Sequence, residues 1–146
     1  MTDNDRPAER HRRPVGVSSA TVAAVGKLSE ALETTERARG HLYSFHQLTG
    51  GADLALGEAV DMLREAGHHQ LAEKLDAALV GRNVLPGRWT FQIVEEYDEG
   101  YYAQFRQIER EIRDELVDGR THVYEAEMKE DRRSHGRPGH EAGPDS

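Results

Sequence analysis

Apolar positions return every three to four residues through most of this chain, the spacing that gathers them on one side of an α-helix. Strand-like alternation is missing, and no internal repeat is evident. The first helical run opens at Ser18 or Ser19, both good N-cap residues. Its apolar side carries Val25, Leu28, Leu32, Thr35 and Leu42. Thr49-Gly50-Gly51 predicts its end after Leu48. A second helix is expected from about Ala52 to Val80 with Leu56, Val60 and Leu63 on one face, bent or broken at Gly67. GRNVLPGR, 81–88, reads as a connection with one proline and two glycines. A third helix from about Trp89 to Asp118 stops at Gly119, and a short one comes after it from Thr121 to Arg133.

Each main segment is about 30 residues, or roughly 45 Å if straight, and short connections make neighbours antiparallel. The expected fold is all-α: an elongated up-down-up antiparallel three-helix bundle plus a short C-terminal helix. Residues 18–133 form that single domain. Residues 1–17, a slightly basic stretch, and 134–146 are rich in Pro, Gly and charge without an apolar period, and are expected to be disordered tails.

The stretch RWTFQIVEEYDEGYY, 88–102, gathers aromatic side chains and carboxylates. Turned at 100° per residue, Ile93, Tyr97, Tyr101, Phe105, Ile108 and Ile112 share one sector, with Glu95, Glu96 and Glu99 opposite and Asp98 at the edge. The pattern predicts a core stripe and a solvated acidic face, not an acid–phenol site. The single Glu-x-x-His, Glu65 to His68, points away from the apolar face and has no second copy, so it does not make a di-iron centre.

Polar residues inside the predicted apolar seam are the remaining candidates. Arg39 and His46 fall on the inner side of the first helix, and Glu115 falls within the stripe of the third. Arg39 is expected to snorkel, or to pair with a flanking acid such as Glu36 or Glu111, and not to grip a ligand. Antiparallel registration about 49–51 brings His46 level with Asp53 or Leu54, and registration about 84–85 brings Glu115 to the same layer, with His122 able to fold back onto it. The layer has two readings. His46, Asp53 and Glu115 form a hydrogen-bonded structural cluster, or His46, Glu115, Asp53 and His122 bind a divalent metal, Zn²⁺ or Fe²⁺ by ligand type.

Composition narrows the function classes. The 146 residues carry a net charge of −8, with 36% hydrophobic and 32% charged residues and a mean hydropathy of −0.79. Residues 18–133 hold 14 basic against 22 acidic side chains, which disfavours nucleic acid as a partner. RPAERHRRP in the first tail could touch an acidic partner or nucleic acid, but the small net charge of that tail favours a solvated segment. Cysteine is absent, removing disulfides, thiolate ligands and cysteine nucleophiles. No secretory h-region and no run of 18 apolar residues is present, so no membrane partner is expected and a cytoplasmic location is the default. Arginine outnumbers lysine 16 to 3, as in GC-rich bacterial genomes. No nucleophile elbow or nucleotide loop is found, so no catalytic residue and no organic cofactor are predicted.

The segments RGHLYSFHQLTGGADLALGEAVDMLREAGHHQLAEKL, GRNVLPGRWTFQIVEEYDEGYY and HVYEAEMKE resemble small helical actinobacterial proteins without an assigned activity. The resemblance covers residues 18–140 and implies a bacterial cytosolic helical protein, with no functional residue to carry over. The expected function is a non-enzymatic protein–protein interaction or self-associating module, because three apolar stripes and one short fourth helix leave apolar surface uncovered. The alternative is divalent-metal binding at the His/carboxylate cluster.

Overall fold

The 49–51 stretch does not end a helix. In the computed structural model, which describes residues 5–144, α1 runs unbroken from Ser19 to Glu65. It begins where expected: the Ser18 hydroxyl accepts the Thr21 amide at 3.1 Å, an N-cap bond. Gly50 and Gly51 keep helical backbone, whereas Gly67 (φ +92°), Gly81 (φ +72°) and Gly119 (φ +70°) adopt the left-handed conformation just past helix ends. A mid-helix glycine costs about 1 kcal/mol relative to alanine, which apolar packing on both sides can outweigh. The predicted turn is therefore absent, and with it the antiparallel pairing of 18–48 against 52–80.

The remaining elements are α2 (His69–Ala78), α3 (Thr90–Tyr97), a π-helical segment (Asp98–Tyr102), α4 (Ala103–Val117) and α5 (Val123–Arg132), with a short 3₁₀ turn at Glu9–His11. No strand occurs among the described residues, and no helix there is long and apolar enough to cross a membrane. The fold is all-α. The chain divides into two units, residues 1–34 with 104–146, and residues 35–103.

In the 35–103 unit, α1 is paired by one neighbour at a time. Beyond the Ala66–His68 turn, α2 folds back along the end of α1: Arg64 meets Glu73 at 3.4 Å and Asp76 at 3.8 Å, and Asp53 accepts the Gly81 amide at 2.8 Å. After the 81–89 connection, α3 starts beside His46 and runs down α1, with Asp98 against Arg39 and Tyr102 against Glu36. Trp89 precedes the helix, and its amide is capped by the Gln92 side chain at 2.7 Å. The unit is thus two helices thick where a bundle three thick was expected. A two-helix seam shields one stripe per helix, and only Val60, Ala72, Val94 and Tyr102 are its buried apolar residues.

The other unit is held differently. Val22, Val25, Val117 and Val123 form its small core. α5 approaches α1 so closely at Gly26 that a Cβ there would lie 2.9 Å from the Tyr124 Cβ. Residues 5–13, expected to be a free tail, dock on the 120–135 region. Thr121 N–H donates to the Arg10 carbonyl (3.0 Å), His11 Nδ1–H to the Thr121 carbonyl (2.5 Å), and Arg13 grips Glu127 with two bonds. Arg133, almost fully buried, bonds Asp5 and Glu130 and also donates to the His140 carbonyl. Ordered contacts of this kind continue into the second expected tail, as Lys129 reaches the Ala142 carbonyl at 3.0 Å. The expected tails include residues 1–4 and 145–146, which lie outside the described residues.

Candidate functional site

The four residues selected from the sequence do not share one cluster. On the unbroken α1, His46 and Asp53 are two turns apart on one face, and each holds one end of the 81–90 connection. His46 Nδ1 shares a 2.6 Å hydrogen bond with the buried Thr90 hydroxyl, and Asp53 caps Gly81. They pin the connection separately, where one hydrogen-bonded cluster with Glu115 was expected. Glu115 is exposed on α4. His122 belongs to a different group, with Glu33 and Glu125.

The stripe of the third helical run is also displaced. Thr90, Val94, Tyr102, Glu109 and Val117 are the buried positions, while Tyr101 (60% exposed) and Ile108 (44%) face out. The π-helical turn over 98–102 accommodates about one extra residue and rotates the rest of the run by roughly 100°. The carboxylate that enters the stripe is therefore Glu109, not Glu115. It accepts from Ser29 Oγ (3.2 Å) and Arg113 Nε (3.0 Å), so its burial is compensated.

The same π-helical turn carries a polar–aromatic cluster. Arg39 clamps Asp98 with two bonds, Nε to Oδ1 at 2.7 Å and Nη2 to Oδ2 at 3.0 Å, in place of the expected Glu36 or Glu111. Its guanidinium lies 5.0 Å from the Tyr43 ring centre and 5.1 Å from that of Tyr102, whose hydroxyl donates to Glu36. The clamp holds the Asp98 carboxyl below the ordinary aspartate value and raises Arg39 further. Both oxygens of Asp98 and the hydroxyl of Tyr102 are matched to partners within the protein, which makes this a structural knot.

Among the described residues, two surfaces carry features that bear on binding. The first is apolar and lies in the 35–103 unit. A cleft of about 480 Å³ opens between α1 and the 79–90 segment, walled by Leu54, Leu56, Leu79, Val84 and Trp89. Twelve of the seventeen large apolar side chains exposed among the described residues belong to this unit, which is less than half the chain. Along α1 itself, Phe45, Leu48, Ala52, Ala55, Ala59 and Met62 recur at alternating steps of three and four. All but the partly covered Ala59 are exposed. This stripe is distinct from the inward one of Leu42, His46, Thr49, Asp53, Leu56, Val60 and Leu63, each of which is at least partly covered.

The second surface is polar and lies in the other unit. Ligand atoms of Glu33, His122 and Glu125 all fall within 4.8 Å of one another. Glu33 projects from α1, and His122 and Glu125 from the first turn of α5. His122 caps α5 in the left-handed conformation (φ +56°), with Nδ1 3.2 Å from Glu125 Oε2 and its ring 6.0 Å from that of His11. The sequence reading set His122 with His46, Asp53 and Glu115; Glu33 is 89 positions away in the chain, and only the fold brings it near.

No protein-family model, curated protein or solved structure matches the chain.

Proposed function

We propose that the protein is a non-enzymatic, self-associating helical module, and that α1 pairs with α1 of a second copy through the 45–62 stripe. The observation that carries this reading is the heptad-like spacing of an apolar stripe on an exposed helix face. Steps of three and four are those of a coiled-coil seam, and such a stripe left in water is a standing driving force for association. The three central alanines let two helices approach closely, and the larger Phe45, Leu48 and Met62 flank them.

The order of sizes also selects the geometry. Reversed end for end, the stripe sets Phe45 opposite Met62, Leu48 opposite Ala59 and Ala52 opposite Ala55. No level sets two rigid, bulky side chains against each other. An antiparallel two-fold pairing therefore makes the surface self-complementary, the requirement of an isologous dimer. The contact would run about 27 Å along each helix. The shortage of buried apolar residues in this unit argues in the same direction, since so thin a core gains stability from a partner. Cytoplasmic residence and kinship with the uncharacterised actinobacterial helical proteins belong to the same proposal; the absence of cysteine and the arginine-rich usage support them.

Sedimentation equilibrium on the full chain tests it, with Leu48→Glu/Ala55→Glu as the comparison. Both positions are exposed and helical, so the substitutions leave the monomer intact. The expected result is a concentration-dependent dimer for the wild type and a monomer of unchanged helicity for the variant. A wild type that stays monomeric up to about 1 mM, weaker than any useful self-affinity, defeats the proposal. So does a variant that dimerises as the wild type does.

A further inference from the structure

The Glu33–His122–Glu125 group is not isolated. His122 and Glu125 also line a second cleft, of about 450 Å³, between residues 6–12, α5 and the 142–144 segment. Four cationic side chains border it: Arg6, Arg10, Arg12 and Lys129. This concentration of positive charge sits in a unit whose sequence carries 13 basic and 16 acidic side chains, so it is not a consequence of general basicity. Within the described residues, Arg10, Arg12 and Lys129 make no ion pair with a carboxylate. Arg10 Nε donates to His11 Nε2 (3.1 Å), Arg12 Nε to the Pro7 carbonyl (2.8 Å) and Lys129 Nζ to the Ala142 carbonyl. Arg10 and Arg12 are thus each anchored through Nε, which aims the guanidinium toward an incoming acceptor.

We infer that this unit holds a divalent-cation site formed by Glu33, His122 and Glu125, opening onto a cationic cleft that binds a phosphate ester coordinated to the same ion. Two carboxylates and one imidazole suit Mn²⁺, Fe²⁺ or Zn²⁺, and three protein ligands leave positions for an external oxygen. A phosphate oxygen on the ion and the remaining oxygens on the arginine forks satisfy both halves with one ligand. The cleft exceeds the size of phosphate alone, and Pro7, Ala8 and Ala126 on its walls would face the organic part of an ester. His11 completes the link between the halves: its Nδ1–H is held by Thr121 and its Nε2 by Arg10, so the residue beside His122 also positions the first arginine. The site lies on residues outside the 45–62 stripe and stands or falls independently of self-association.

Electron paramagnetic resonance of Mn²⁺ titrated into untagged full-length protein, with and without inorganic phosphate, tests both halves. The wild type is expected to bind one Mn²⁺ per chain. Glu33→Gln, an exposed change on a long helix, is expected to weaken it at least about tenfold, as loss of a ligand does. Phosphate should tighten Mn²⁺ binding, and by reciprocity Mn²⁺ should tighten phosphate binding by the same factor. Arg10→Ala/Arg12→Ala should abolish that mutual effect while Mn²⁺ alone still binds, at least as tightly because two neighbouring positive charges are gone, which separates the cleft from the metal ligands. Circular dichroism checks that each variant stays folded. Absence of Mn²⁺ binding at millimolar metal, or binding indifferent to both Glu33→Gln and Glu125→Gln, overturns the metal site. A phosphate effect unaltered in the arginine double variant overturns the cleft.

Discussion

The two units solve the problem of a small core in opposite ways. The unit built from both chain ends supplements four buried valines with directed polar contacts: a two-bond Arg13–Glu127 pair, a buried Arg133 held by Asp5 and Glu130, and a buried Glu109 between Ser29 and Arg113. Those contacts are satisfied within the chain; no buried side-chain polar atom among the described residues lacks a partner. The 35–103 unit has as few buried apolar residues, but what it leaves in water is apolar: Leu48, Leu54 and Met62 are each about 70% exposed. Polar networks close a unit on itself, because hydrogen bonds saturate. Apolar surface does not saturate, so a unit that displays it is still able to gain stability from another chain.

Core truncations set the two units most sharply against each other. Val60→Ala in the exposed-stripe unit and Val117→Ala in the other remove side chains that are 2% and 1% exposed, and each is expected to destabilise by about 2–3 kcal/mol. Thermal unfolding should separate them: the Val60 variant's melting temperature should recover with rising protein concentration, through dimerisation, and the Val117 variant's much less. Equal concentration dependence in both would erase the proposed distinction.

Glycine substitutions come next in size. Gly26→Ala drives a methyl against Tyr124 and is expected to cost about 1–3 kcal/mol despite the gain in helix propensity. Gly50→Ala and Gly51→Ala meet open space inside α1 and are expected to stabilise by about 1 kcal/mol each in chemical denaturation. Destabilisation at 50 or 51 would mean that the chain turns there after all, and the continuous 45–62 stripe would be lost with it.

Salt and pH give the smallest effects. Residues 35–103 carry six basic and eleven acidic side chains, so two copies repel and an apolar contact between them should tighten as salt is raised. Dissociation on adding salt would instead point to an ion-paired interface. In acid, Asp98 is held low by Arg39, Glu96 by Arg88, and Asp5 by His135 and then Arg133. A lowered folded pKa contributes stability that is complete above the unfolded value, near 4, and lost as pH falls through the folded one. Both units should therefore weaken modestly below about pH 4, the pairs being largely solvent-screened. Asp98→Asn should flatten that acid limb in the 35–103 unit alone, as read by hydrogen exchange of α3.

Sequence alone settled what local physics controls. Helical period, the Ser18 cap, the stops at Gly67 and Gly119 and the bounds of the last two helical runs were legible, because propensity and backbone conformation act over a few residues. Three features were decided only by tertiary structure. Gly50-Gly51 looks like a terminator in isolation, yet packing on either side carries α1 through it. That misreading hid the 45–62 stripe, whose alanines become a seam only once 45 and 62 share a helix. The π-helical turn at 98–102 moved the buried carboxylate from Glu115 to Glu109, a phase change that a constant 100° step cannot register. Finally, Glu33 reaches His122, and Arg10 reaches Thr121, across most of the chain's length. Contacts between residues so far apart depend on which faces meet, and that is a property of the whole fold, not of any segment in it.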